Sequence, residues 1–115
     1  MRTQYLNTLP EHWLPSAAVF SALGDATRQK ILLLFEPGEE LSIKDIADLF
    51  PLGRTTIVHH IGSLEKAGML VARRAGRHAF YHINYDIVLE ALNNLRQLID
   101  EDLALLDTAQ AEGKE

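Results

Sequence analysis

The chain of 115 residues contains no cysteine. That excludes disulfides, thiolate metal ligands and thiol redox chemistry, without identifying a compartment. No stretch approaches the roughly 18 consecutive apolar residues that a membrane span requires. The opening MRTQYLNTLPEHWLP has no apolar core and no small-residue cleavage pattern, so a cytoplasmic location is expected. A glycine-rich phosphate loop is missing, as is any serine or carboxylate constellation at a catalytic spacing, and an enzyme is not expected. Positive charge is also short: 11 lysines and arginines face 16 carboxylates, for a net charge of −5. On that balance alone a nucleic-acid partner would be discounted.

The deficit is unevenly spread. Residues 54–85 hold Arg54, Lys66, Arg73, Arg74 and Arg77 against Glu65 alone, and the segments on either side are acidic. Electrostatic attraction follows local arrangement rather than net charge, so a cationic segment in an acidic chain still marks a polyanion-facing surface. With 47% hydrophobic residues the chain can build one small core, and 1–115 reads as a single domain.

Residues 1–14 lack periodicity but carry Tyr5, Leu6, Leu9, Trp13 and Leu14, enough apolar surface to pack on something, a second subunit included. Pro15-Ser16 starts a short helix through Leu23, and Gly24 breaks it. Asp25 is placed to cap a second helix over 26–35, ended by Glu36-Pro37-Gly38. Ser42, with Asp45 three residues on, signals a third helix that buries Ile43, Ile46, Ala47 and Phe50. Pro51-Leu52-Gly53 is a turn, and a fourth helix over about 54–67 buries Ile57, Ile61 and Leu64 before Gly68 ends it. Two short strands, 69–73 and 79–83, flank a turn near Ala75-Gly76-Arg77.

The last helix is expected over about 85–108. Val88, Leu92, Leu95, Ile99 and Leu106 recur at spacings of three, four or seven, and Leu98, Leu103 and Leu105 widen the stripe beyond what one small domain covers. It reads as a dimerisation helix, with Trp13, Val88, Leu92, Leu95, Ile99, Leu103 and Leu106 as expected contacts. The fold class is therefore mainly α with a small β-hairpin wing, in the order α-α-α-α-β-β-α, dimeric through its terminal helices.

Within it, about 42–67 is a helix-turn-helix and about 69–83 a wing. The second helix of that pair starts with Arg54, Thr55 and Thr56, groups suited to base edges and phosphates. Arg73, Arg74 and Arg77 surround the hairpin turn, with His78 as a phosphate donor near its tip. A helix suited to the major groove beside a cationic ribbon is a DNA-binding layout.

Two stretches carry a family resemblance. FSALGDATRQKILLLF (20–35) resembles the opening helices of the ArsR/SmtB regulators, and IADLFPLGRTTIVHHIGSLEKAGML (46–70) resembles their helix-turn-helix. The following RRAGRHAFYHI resembles their wing, so the likeness covers roughly 16–105. It implies a homodimeric winged-helix repressor of an inverted-repeat operator in double-stranded DNA, released by a signal such as a small-molecule effector. By position it implies DNA contacts from Arg54, Thr55, Thr56, His59 and His60, and from Arg73, Arg74 and Arg77 on the wing. It also places Arg28 after an Asp-x-Thr turn, where bracing and phosphate contact are both open. Three residues depart from the family pattern: Pro51 for a turn glycine, Gly53 for a capping serine, and Val58 for a polar contact residue.

Metal sensing, the best-known chemistry of that family, is not expected, nor is any cofactor. Where the family's cysteine-rich site falls, Leu41-Ser42-Ile43-Lys44-Asp45 offers serine and a protonated lysine. The other site uses histidines on the last helix, and 86–107 contains none. His59 and His60 point about 100° apart on a helix, and His78 and His82 lie about 13 Å apart along a strand, so neither pair chelates one ion. An alternative function remains open: a winged-helix module that binds protein through its leucine stripe. Its mark would be wing arginines paired with the chain's own carboxylates.

Overall fold

Apolar side chains recurring at helical spacing along five segments draw those segments onto one buried cluster. A computed structural model describes residues 1–113. After a 3-10 turn at Glu11–Trp13 come α1 (Leu14–Leu23), α2 (Ala26–Leu34), β1 (Leu41–Ser42), α3 (Ile43–Ala47), α4 (Arg54–Lys66), β2 (Leu70–Ala75), β3 (His78–Ile83) and α5 (Tyr85–Glu112). Val19, Ile31, Ile46, Ile57, Ile61, Leu64, Met69 and Leu70 are fully buried at the centre, contributed by α1, α2, α3, α4 and β2 with the residue before it. The expected winged helix-turn-helix is the fold observed.

Local chemistry sets the boundaries. Asp25 accepts the Arg28 backbone N–H at 3.1 Å and starts α2. Ser42 and Asp45 form a reciprocal capping box, the Asp45 N–H donating to Ser42 Oγ at 3.1 Å and the Ser42 N–H to Asp45 Oδ2 at 2.9 Å. Both carboxyls are held below their ordinary value, Asp25 chiefly by the Arg28 N–H and Asp45 chiefly by the Ser42 N–H.

Several boundaries differ from expectation. Helix α3 stops at Ala47, and Phe50, expected on its buried stripe, lies half-buried in the turn that follows. The sheet has three strands rather than two, in the order β1-β3-β2, because Leu41 and Ser42 pair antiparallel with Tyr81 and Phe80. Two residues are too short to show strand alternation in sequence. The wing strands run further toward the tip, pairing to Ala75–His78 and leaving a two-residue turn at Gly76-Arg77, where Gly76 takes φ +63°. Helix α5 continues to Glu112, beyond the expected end.

The N-terminal arm folds over its own α5. Arg2 Nη2 meets Asp102 Oδ1 at 2.6 Å, and Asn94 Nδ2 donates to Ser16 Oγ at 2.8 Å, tying α1 to α5. Trp13, half-buried, lines a cleft with Asn94, Gln97 and Leu98. No helix among the described residues is long and apolar enough to cross a membrane.

Candidate nucleic-acid interface

Helix α4 is oriented from its buried side. Ile57, Ile61 and Leu64 sit at i, i+4 and i+7 and are buried, which turns Arg54, Thr55, Thr56, Val58 and His59 to solvent. Its far end is locked by a Schellman motif: the Gly68 N–H donates to Glu65 O at 2.9 Å and the Met69 N–H to Leu64 O at 3.0 Å, with Gly68 at φ +84°. The chain enters β2 two residues later, so this cap sets where the wing starts relative to α4.

Arg28 has a bracing role. Its Nε donates to Ala22 O at 2.6 Å, its Nη2 to Ser21 O at 3.3 Å, and its Nη1 lies 3.4 Å from His60 Nδ1. A guanidinium can only donate, so in this contact the accepting side is His60 Nδ1. His60, named with His59 as a DNA contact, is therefore half-buried against α2, while His59 is exposed. The adjacent pair divides as its angular separation requires.

The wing arginines differ among themselves. Arg73 Nε pairs with Glu40 Oε2 at 2.9 Å, and its Cζ lies 5.2 Å from the Phe80 ring centroid, which holds it against the sheet. Arg74 and Arg77 have no ion-pair partner among the described residues. Between the start of α4 and the wing lies an open cleft of about 390 Å³ lined by Lys44, Arg54, Arg77 and His78. Asp45 also lines it, but its carboxylate is occupied by the Ser42 backbone. The start of α4 and the wing tip thus contribute cations to a single concavity facing solvent. Lys44 was not among the residues expected there; its place in the sequence, two residues after Ser42, suggested only a lost metal ligand.

Where the resemblance would place metal ligands, and along the acidic run of α5, the side chains present have other partners. Lys44 Nζ is 2.6 Å from Asp48, and Ser42 and Asp45 satisfy each other. On α5, Asp102 is paired with Arg2, Asp100 lies 3.6 Å from Arg96, and Glu101 accepts from Gln97 at 3.1 Å.

Of the expected dimer contacts, Val88 is half-buried against its own core, whereas Leu92, Leu95, Ile99, Leu103 and Leu106 are 36–56% exposed. Helix α5, 28 residues and so about 42 Å long, carries this stripe outward along a molecule whose long axis is 68 Å.

The family model described as a helix-turn-helix domain matches residues 23–73. The transcriptional repressor SdpR of Bacillus subtilis is 31% identical over 72% of this chain and 91% of its own length. An ArsR-like transcriptional regulator from Rhodococcus sp. RHA1 superposes with a TM-score of 0.74 at 26% identity, over 85% of this chain and 92% of that one. The homodimeric winged helix-turn-helix DNA-binding domain of a possible ArsR-family regulator from Mycobacterium bovis is also similar. It has a TM-score of 0.58 and 32% identity, over 77% of this chain and 82% of that one.

Proposed function

Because the chain belongs to the ArsR/SmtB family of winged helix-turn-helix transcriptional regulators, a family of regulators rather than enzymes, we propose that it is a homodimeric repressor of a two-fold operator. The carrying observation is the basic cleft in which α4 and the wing place Arg54, Arg77 and His78 on one face of an otherwise acidic chain, beside Lys44 of α3, which is paired with Asp48. In this reading Arg54, Thr55 and His59 meet base edges and nearby phosphates, and Arg74, Arg77 and His78 grip the backbone beside them. Thr56 contacts the backbone from the flank of α4. Arg73, restrained by Glu40, and His60, engaged by Arg28, act by positioning the wing and the helix.

The exposed α5 stripe supplies the dimer contact, with Trp13 at its margin. It sets two α4 helices about one DNA turn apart, roughly 34 Å, so the operator is an inverted repeat. A signal that favours a different dimer geometry releases the DNA. The donor sets at the family's metal positions do not support a metal as that signal. The protein-interaction alternative draws support from Arg73 alone, since Arg74 and Arg77 stay unpaired among the described residues.

Fluorescence anisotropy on DNA from upstream of the protein's own coding region, with scrambled competitor and a salt series, tests the proposal. Binding that survives competitor and falls steeply with log salt is the expected result. Equal affinity for both DNAs, or none at low salt, refutes it.

A further inference from the structure

Two neighbours fix which arc of α4 looks outward. On one side Arg54 shares the basic cleft with Arg77 and His78 of the wing. On the other, His60 is held by Arg28 of α2. At about 100° per residue, with Arg54 at zero, Val58 falls at about 40°, Gly62 at about 80°, Thr55 at about 100° and His59 at about 140°. The buried Ile57 and the half-buried His60 lie at about 300° and 240°. The arc between wing and α2 is therefore edged by Arg54 and His59 and filled by Val58, Thr55 and Gly62, with the exposed Glu65 at about 20° and Lys66 at about 120° on it at the C-terminal end of the helix.

The chemistry of that filling is unlike its edges. Val58 is 41% exposed, a β-branched residue on a helix face where neither packing nor helix propensity requires it. Gly62 lies in the interior of α4, and a Cβ built on it meets nothing within 4 Å. A glycine in a helix interior is less favourable than alanine, and nothing inside this fold calls for it here. Side by side they form a strip of methyl groups next to bare backbone, in the middle of the polar and cationic face. An apolar strip that lets a helix sit close is complementary to the one apolar group that a major groove displays on a base edge, the C5 methyl of thymine.

We propose that Val58 determines specificity by packing on a thymine methyl in each operator half-site, with the Thr55 methyl beside it and Gly62 allowing the close approach. The assignment rests on the DNA-binding reading above and adds to it the base that is read. Burying one methyl group corresponds to about a fourfold effect on affinity.

The experiment starts with selection of a binding site from a random DNA pool using the full chain. Each thymine of the selected site is then replaced by uracil, which removes only the C5 methyl. In the wild type, one thymine per half-site should lose about fourfold on replacement, and that loss should vanish in Val58→Ala. Gly62→Ala should raise Tm while weakening binding to the selected site, a combination that a purely structural glycine would not produce. A pool with no enriched sequence refutes DNA reading altogether. An enriched site whose uracil profile is the same for wild type and V58A overturns this assignment alone. Unchanged affinity in G62A overturns the close approach.

Discussion

Replacing Gly68 by alanine tests the junction on which the interface geometry depends. Gly68 sits at φ +84°, between the last turn of α4 and the first residue of β2. A side chain in that left-handed region costs about 1–2 kcal/mol. The new Cβ would also stand 2.7 Å from Ile87 Cδ1, the tip of a side chain that can rotate away. Moving it off its rotamer adds about 0.5–1.5 kcal/mol, so Gly68→Ala should destabilise by roughly 2–3 kcal/mol. Gly76→Ala is the internal control. Its φ is +63°, with nothing within 4 Å of the new atom, so only the backbone cost of about 1–2 kcal/mol applies. Gly62→Ala, in ordinary helix with open space around it, should go the other way by about 1 kcal/mol. Urea unfolding at constant m reads all three. A Gly68→Ala protein no less stable than Gly76→Ala would show that the Ile87 contact and the cap geometry are wrong.

Arg54→Ala should weaken operator binding by about 1–3 kcal/mol and relax preference at one base pair, whereas Arg77→Ala should weaken all sequences alike and lower the salt slope by about 1. Equal loss on specific and random DNA for Arg54→Ala would remove it from base reading. Ile99→Glu places like charges against each other in a self-complementary α5 contact and should give a monomer by sedimentation equilibrium; an undisturbed dimer would locate the interface elsewhere. Asp25 and Asp45 are held below 3.8 by backbone N–H donation, so their contribution is complete above that pH and is lost as pH falls through their lowered native values. Asp25→Asn with Asp45→Asn keeps the capping oxygens and should flatten the acid limb of the stability curve; an unchanged acid limb contradicts the cap assignment.

Much of this was legible locally. Ile57, Ile61 and Leu64 at helical spacing oriented α4, and Gly68 marked its end because a tight stop there needs a left-handed residue. The Ser42–Asp45 capping box and the cationic turn at Gly76-Arg77 were equally readable, since each depends on residues at most three apart. The cation count in 54–85 separated an acidic protein from an acidic interface.

Other features exist only because distant segments meet. Arg28 and His60 are 32 residues apart, and their contact turns one of two adjacent histidines into a brace. Arg73 and Glu40 are 33 apart, and their pairing sets one wing arginine apart from two others of the same type. Arg2 and Asp102 are 100 apart, and their ion pair lays the arm on its own α5. Periodicity and capping are written in neighbouring residues, so the sequence by itself determined the helices and the wing hairpin, while β1 and the early end of α3 came from the packing around them. The partner of a charged or hydrogen-bonding side chain is set by which surfaces the buried cluster brings together. Tertiary packing alone therefore decided which cations in the basic segment stay open to a ligand and which are spent holding the scaffold.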